Sequence, residues 1–168
     1  MESVILIKYG ELSTKKDNIN FFLKQLKENI LFALKDFNVE VTYDLGRMFI
    51  HTHEDFDQVM NRVKNIFGIH EINIGYIIES NDFNIVKENI LNLLKEKKFT
   101  TFKVESKRAN KKLNTTSVEL SKNLGAYILK NIKGLKVDVK NPEIIVNVEY
   151  RLHNTLVYFD KFKGIGGY

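Results

Sequence analysis

The sequence predicts an α+β chain made of two units, a β-α-β-β-α-β unit over residues 1–79 and a second α/β unit over residues 80–168. Two observations carry this reading. Apolar residues switch repeatedly between short continuous runs and three- and four-residue steps, the signatures of strands and of one-sided helices. The charge also divides, with −3 over residues 1–80 and +8 over residues 81–168.

Val4 to Tyr9 is a continuous apolar run ended by Gly10, which reads as a buried strand. Ile19, Phe22, Leu23, Leu26, Ile30, Ala33, Leu34 and Phe37 then recur at helical spacing, with Asp17 or Asn18 placed to cap the helix start. Val39 to Tyr43 and Met48 to His51 are strands joined through Asp44-Leu45-Gly46-Arg47, a hairpin connection with a glycine for positive φ. Phe56, Val59, Met60, Val63 and Ile66 line one face of a second helix that Gly68 stops, and Ile72 to Ile78 is the closing strand. The order is that of the split-βαβ, or ferredoxin-like, arrangement.

In the second unit, Phe83 to about Lys95 is a helix and Phe99 to Glu105 a strand, followed by a basic polar stretch from Ser106 to Asn114. Ser117 to Lys133 is a helix with Leu120, Leu124, Tyr127, Ile128 and Ile132 on its apolar face and Gly134 as its stop. Val137–Val139, Ile144–Tyr150 and Thr155–Phe162 are the last strands, with turns at Asn141-Pro142 and His153-Asn154. No Pro- or Gly-rich linker separates the halves, and the closing Gly164-Ile165-Gly166-Gly167-Tyr168 reads as the start of a connector.

Composition narrows the function classes. The chain has no cysteine, which excludes a disulfide scaffold, a zinc ribbon and a Cys nucleophile from these 168 residues. It has no run of 18 apolar residues and no signal-peptide pattern, so a cytoplasmic protein without a membrane partner is expected. No P-loop, G-x-G-x-x-G, H-E-x-x-H or G-x-S-x-G occurs, and no catalytic residue, cofactor site or metal site is assigned. His51 and His53 share a strand face at a spacing that can ligate a metal, but two ligands at a strand end read as a solvated terminus. His70 and His153 read as structural, and Glu11 as a locally hydrogen-bonded loop carboxylate.

The stretch that carries chemistry is Lys103 to Lys112, five cations against one anion. Strand alternation puts Lys103, Glu105 and Lys107 on one face and Phe102 and Val104 on the other. The loop runs into Thr116-Ser117-Val118-Glu119, a capping-box sequence. A helix N-terminus presents uncommitted N–H groups, so a basic loop beside it suits phosphates. Arg108 adds a planar fork that grips a phosphate or stacks on an unpaired base. In the capping role Glu119 would occupy one of those donors, and a solvated basic loop without a partner is the competing reading. Lys161-Phe162-Lys163-Gly164 suits either nucleic-acid contact or protection of an edge strand.

Three segments of the first unit, Ile7-Lys8-Tyr9-Gly10-Glu11-Leu12, Gly46-Arg47-Met48-Phe49-Ile50 and Ile66-Phe67-Gly68-Ile69, resemble the N-terminal ferredoxin-like domain of tRNA 4-thiouridine synthetases, the ThiI family. Thr101 to Lys111, Val137 to Pro142 and Phe162 to Gly167 resemble the THUMP domain that follows it in those enzymes. The resemblance implies a tRNA-binding front end that holds the acceptor stem and the 3′ CCA end. Beyond it would lie a PP-loop domain that uses ATP and Mg²⁺ to thiolate the uridine at position eight, with a cysteine desulfurase as sulfur donor. It also implies sulfur supply to the thiamine thiazole and leaves a homodimer open. Carried over by motif, the RNA-binding residues are Lys103, Lys107, Arg108, Lys111, Lys112, Lys161 and Lys163. The sequence departs from the family at Ser13 to Asn18, which lacks an arginine, and at Leu113-Asn114, where Phe-Pro is common. The Ser-Gly-Gly-x-Asp-Ser signature and the catalytic cysteine are not in these residues. The alternative reading is a stand-alone RNA-binding or protein-interaction adaptor.

Overall fold

The computed structural model describes residues 1–9, 16–44, 47–108 and 115–161, with the side chains of 16–18 and 44 left aside. The chain divides into two compact units, Ser3–Ile74 and a second made of Met1–Glu2 and the residues from Gly75 on.

The first unit holds β1 (Glu2–Tyr9), α1 (Lys16–Ala33), β2 (Val39–Asp44), β3 (Arg47–Thr52), α2 (Phe56–Val63) and the first part of β4 (Ile69–Ile78). Its strands lie in the order β2-β3-β1-β4, the ferredoxin-like arrangement the sequence predicts. β3 pairs antiparallel with both β1 and β2, for example Ile5 opposite Ile50 and Val41 opposite Ile50. Val4 to Ile7 are all buried, which explains a continuous apolar run in place of alternation. Ile5, Ile7, Met48 and Ile50 form one core with Leu23, Leu26 and Ile30 of α1 and Val59 and Val63 of α2.

Boundaries differ from expectation where caps decide them. α1 begins at Lys16, so Asp17 and Asn18 stand in its first turn and not at its cap. α2 begins where the Asp55 carboxylate accepts from the N–H groups of Asp57 and Gln58, and it ends at Val63, five residues before Gly68. Gly68 nonetheless has φ +99°, which favours glycine, and a Cβ there would stand 3.0 Å from the Phe22 ring, a contact tight enough to make the ring shift. The hairpin Leu45-Gly46, the Gly10–Glu11 loop and the Gly164–Tyr168 end lie outside the described residues.

The second unit holds α3 (Phe83–Lys95), β5 (Thr101–Arg108), α4 (Ser117–Asn131), β6 (Lys136–Val137), β7 (Ile144–Tyr150) and β8 (Thr155–Lys161), with Gly75–Ile78 of β4 paired to β8. The strand order is β4-β8-β7-β5-β6. β5 and β7 are parallel, as a strand–helix–strand crossover through α4 requires, while β7 and β8 form an antiparallel hairpin. The Arg151 N–H donates to the Asn154 carbonyl at its turn. Phe102, Val146, Val148, Tyr150 and Val157 form the sheet side of a core, against Val86, Ile90 and Leu94 of α3 and Leu120, Leu124 and Ile128 of α4. Each such side chain contributes about 1.5–3 kcal/mol by leaving water. β5 runs three residues further than the sequence suggests, so Ser106, Lys107 and Arg108 are strand and not loop. α4 stops at Asn131, ahead of Gly134, whose φ is +85°. Among the described residues no helix is long and apolar enough to cross a membrane.

Candidate nucleic-acid interface

The predicted alternation along β5 holds. Phe102 is fully buried on the helix-covered side, and the Ser121 hydroxyl of α4 donates to the Ser106 hydroxyl at 2.9 Å on that same side. Lys103 and Glu105 lie on the opposite face and form an ion pair at 2.9 Å. The Lys103 charge is therefore already partly matched. Lys107, next on that face, is exposed and has no ion-pair partner among the described residues.

Arg108 is half-buried, and its Nη1 donates to the carbonyl of Thr115 at 2.8 Å. That bond ties the end of β5 to the residue before the α4 cap, spanning the basic loop that holds Lys111 and Lys112, which lie outside the described residues. The capping box is half realised. The Thr116 hydroxyl accepts from the Glu119 N–H at 3.2 Å, while the Glu119 carboxylate takes the Thr115 hydroxyl at 2.9 Å. A phosphate approaching this helix start meets N–H groups and a cation, and also one carboxylate in the first turn.

The candidate residues are not one cluster. Lys161 is exposed at the end of β8 opposite Ile144, which is itself opposite Phe102. Arg108 is six residues further along β5, which at strand rise is about 20 Å away. Lys161 also shares the parity of Val157 and Phe159, the helix-covered side, whereas Lys103 and Lys107 do not. At its end of the sheet the Lys97 ammonium sits 4.9 Å from the Phe159 ring, making a second, separate basic region. Lys163 lies outside the described residues.

The remaining candidates resolve simply. The His51 Nε2 contacts the Thr42 hydroxyl at 2.8 Å, and no group of three metal-ligating side chains occurs among the described residues. His70 and His153, read as structural, are both exposed. Sequence reasoning missed the Arg108–Thr115 bond, because a cation in a basic run looks the same whether it faces solvent or closes a loop.

A ferredoxin-like unit followed by an α/β unit with a basic β5–α4 junction defines the class, a THUMP domain preceded by its ferredoxin-like partner. Residues 4–73 match the ThiI ferredoxin-like domain and residues 80–160 match the THUMP domain. The chain belongs to the ThiI family, as its ferredoxin-like and THUMP region. It is 44% identical to a probable tRNA sulfurtransferase of Thermoanaerobacter pseudethanolicus over 99% of this chain and 44% of that protein. The probable tRNA sulfurtransferase of Clostridium acetobutylicum is 42% identical over 99% of this chain and 43% of its own length. The chain thus spans under half the length of these relatives. Among solved structures, a 4-thiouridine synthetase in complex with RNA and bound ATP superposes with a TM-score of 0.79 at 32% identity, over 97% of this chain and 42% of that one.

Proposed function

We propose that this chain is the tRNA-binding region of an ATP-dependent tRNA sulfurtransferase that makes 4-thiouridine at position eight. In this reading it holds the acceptor stem and the 3′ CCA end. The carrying observation is the likeness, along 97% of the chain, to a 4-thiouridine synthetase that was crystallised with RNA. The local geometry supports it, since exposed Lys107 stands at the end of β5 whose last residue, Arg108, is hydrogen-bonded to Thr115, just ahead of the α4 N-terminus. Lys107, Lys111 and Lys112 would supply phosphate contacts, with Lys103 on the same strand face as Lys107, Arg108 would tie the end of β5 to Thr115, and Lys161 and Lys163 would add further cations. Cationic contacts of this kind release counterions, so affinity must fall steeply with salt.

The same reading gives the whole protein a cysteine desulfurase as sulfur donor, a homodimeric state and a role in sulfur supply to the thiamine thiazole. ATP and Mg²⁺ are assigned to no residue of this chain in this reading. The test is tRNA binding across a salt series, with the intact tRNA and with one lacking CCA. The Lys107→Glu/Arg108→Glu variant should lose most of the affinity, and the shortened tRNA should bind more weakly. Wild-type affinity in the double variant would refute the interface, and equal binding of both RNAs would refute recognition of the 3′ end.

A further inference from the structure

A groove of the same unit adjoins the interface of this reading and shares Lys103 with it, on the strand that also carries Lys107. Between β5, α4 and the segment after β6 lies a groove of about 490 Å³, lined mainly by Val104, Ala126, Leu129, Val137 and Val139. Leu129, Val137 and Val139 are 40%, 48% and 71% exposed, a concentration of aliphatic surface in one place. Gly125 lies in its wall, in the interior of α4, where glycine costs about 1 kcal/mol relative to alanine. No φ requires it, and an added Cβ would meet nothing within 4 Å. Its effect is to leave the groove open.

The groove runs beside an unfinished sheet edge. β6 pairs with only Thr101 and Phe102 of β5. The N–H groups of Lys136 and Asp138 donate to the carbonyls of Thr100 and Phe102, so even-numbered residues of β5 direct their main-chain groups outward. By that alternation Val104 and Ser106 also direct N–H and C=O outward, and no strand among the described residues pairs with them on that side. An edge with unpaired main-chain groups beside an apolar groove is the template for strand addition.

We infer that this edge binds an extended peptide with alternating aliphatic and acidic side chains, as an added strand beside β5. On such a strand the aliphatic side chains face α4 and fill the groove, and the carboxylates fall on the opposite face beside Lys103 and Lys107, between which stands Glu105, already paired to Lys103. Lys107 lacks a partner among the described residues, and Lys122 adds a further cation at the rim. The surface favours a peptide over single-stranded RNA because RNA needs rings to stack on. The one ring lining the groove, Phe102, is fully buried.

The probe is a fluorescein-labelled eight-residue peptide alternating Val and Glu, titrated against the whole chain by anisotropy, with a Val–Lys alternate as control. The Val–Glu peptide should bind at least tenfold more tightly than the control, and the amides of Val104 and Ser106 should gain protection from hydrogen exchange. Gly125→Leu, which fills the groove, should weaken binding at least tenfold. Ser106→Pro, which removes an outward N–H without breaking a β5–β7 bond, should do the same. If the proline variant fails to fold, the leucine variant and the exchange data still decide. No binding up to about 1 mM, equal affinity for both peptides, or wild-type affinity in Gly125→Leu overturns the inference. So does displacement of the peptide by a single-stranded RNA whose own binding Gly125→Leu weakens.

Discussion

Replacing Arg108 separates two roles that the sequence merges. Its guanidinium donates to the Thr115 carbonyl at 2.8 Å from a half-buried position, joining the end of β5 to the start of α4. A hydrogen bond from a charged donor contributes about 1.5–3 kcal/mol when well shielded, and partial exposure brings the expectation to about 1–2 kcal/mol. Arg108→Met keeps the apolar stem and removes the donors, so urea denaturation should show that loss with an unchanged m-value. Arg108→Lys keeps the charge but loses the fork, and should recover less than half of it. The tRNA salt series supplies the independent readout. One lost phosphate contact lowers the slope of log affinity against log salt by about 0.7–0.9. If Arg108 chiefly closes the loop, Arg108→Met weakens binding with little change in slope, whereas Lys107→Glu lowers the slope. Stability unchanged to within about 0.3 kcal/mol in Arg108→Met would refute the closing bond.

Other expectations follow from buried geometry. Gly68→Ala combines a left-handed φ of +99° with a Cβ 3.0 Å from Phe22, and a thermal melt should show a loss of about 1–3 kcal/mol. The Tyr150 hydroxyl is buried with no hydrogen-bond partner among the described residues, so Tyr150→Phe should stabilise the protein by about 1–3 kcal/mol in denaturant titration. Burial raises the pKa of Tyr150, burial and then the Glu96 carboxylate raise that of Tyr76, and burial raises that of Tyr9 against the opposing charge of Arg47. The folded state therefore holds these protons more tightly than the unfolded chain. Stability is fully present below the ordinary tyrosine value of 10.0 and falls as pH rises through the folded-state values. A flat stability profile from pH 9 to 11 would refute the shifts, and Tyr150→Phe should shallow the fall.

The sequence was most legible where burial is one-sided and complete. α3 and β7 fall where periodicity puts them, because Val86, Ile90 and Leu94, or Val146, Val148 and Tyr150, each keep a single period on one buried face. The ends were less legible because local bonds set them. The polar run Ser106-Lys107-Arg108 reads as loop, yet its backbone is committed to β7 opposite Val148, Glu149 and Tyr150. Val137 to Val139 reads as a strand, yet only Lys136 and Val137 pair, and the next residues turn under the Asp138 carboxylate, which accepts from the N–H groups of Lys140 and Asn141. Charge composition located the basic junction but could not place Lys161 at the far end of the sheet, since that depends on the antiparallel register of β7 and β8. The groove left only one trace in the sequence, Gly125 amid helix formers.

The position of Gly75 bears on how this protein can be cut. The match to the THUMP domain begins at residue 80, and a fragment started there would omit Gly75–Ile78. Those four residues pair with Thr155–Tyr158, and Ile78 belongs to the second unit's core. Severing them would strip β8 of a neighbour and leave a second raw margin, inviting the fragment to stick to copies of itself. The natural seam lies at Ile74–Gly75, inside the ten-residue strand β4. Anyone isolating the THUMP half should begin ahead of Gly75.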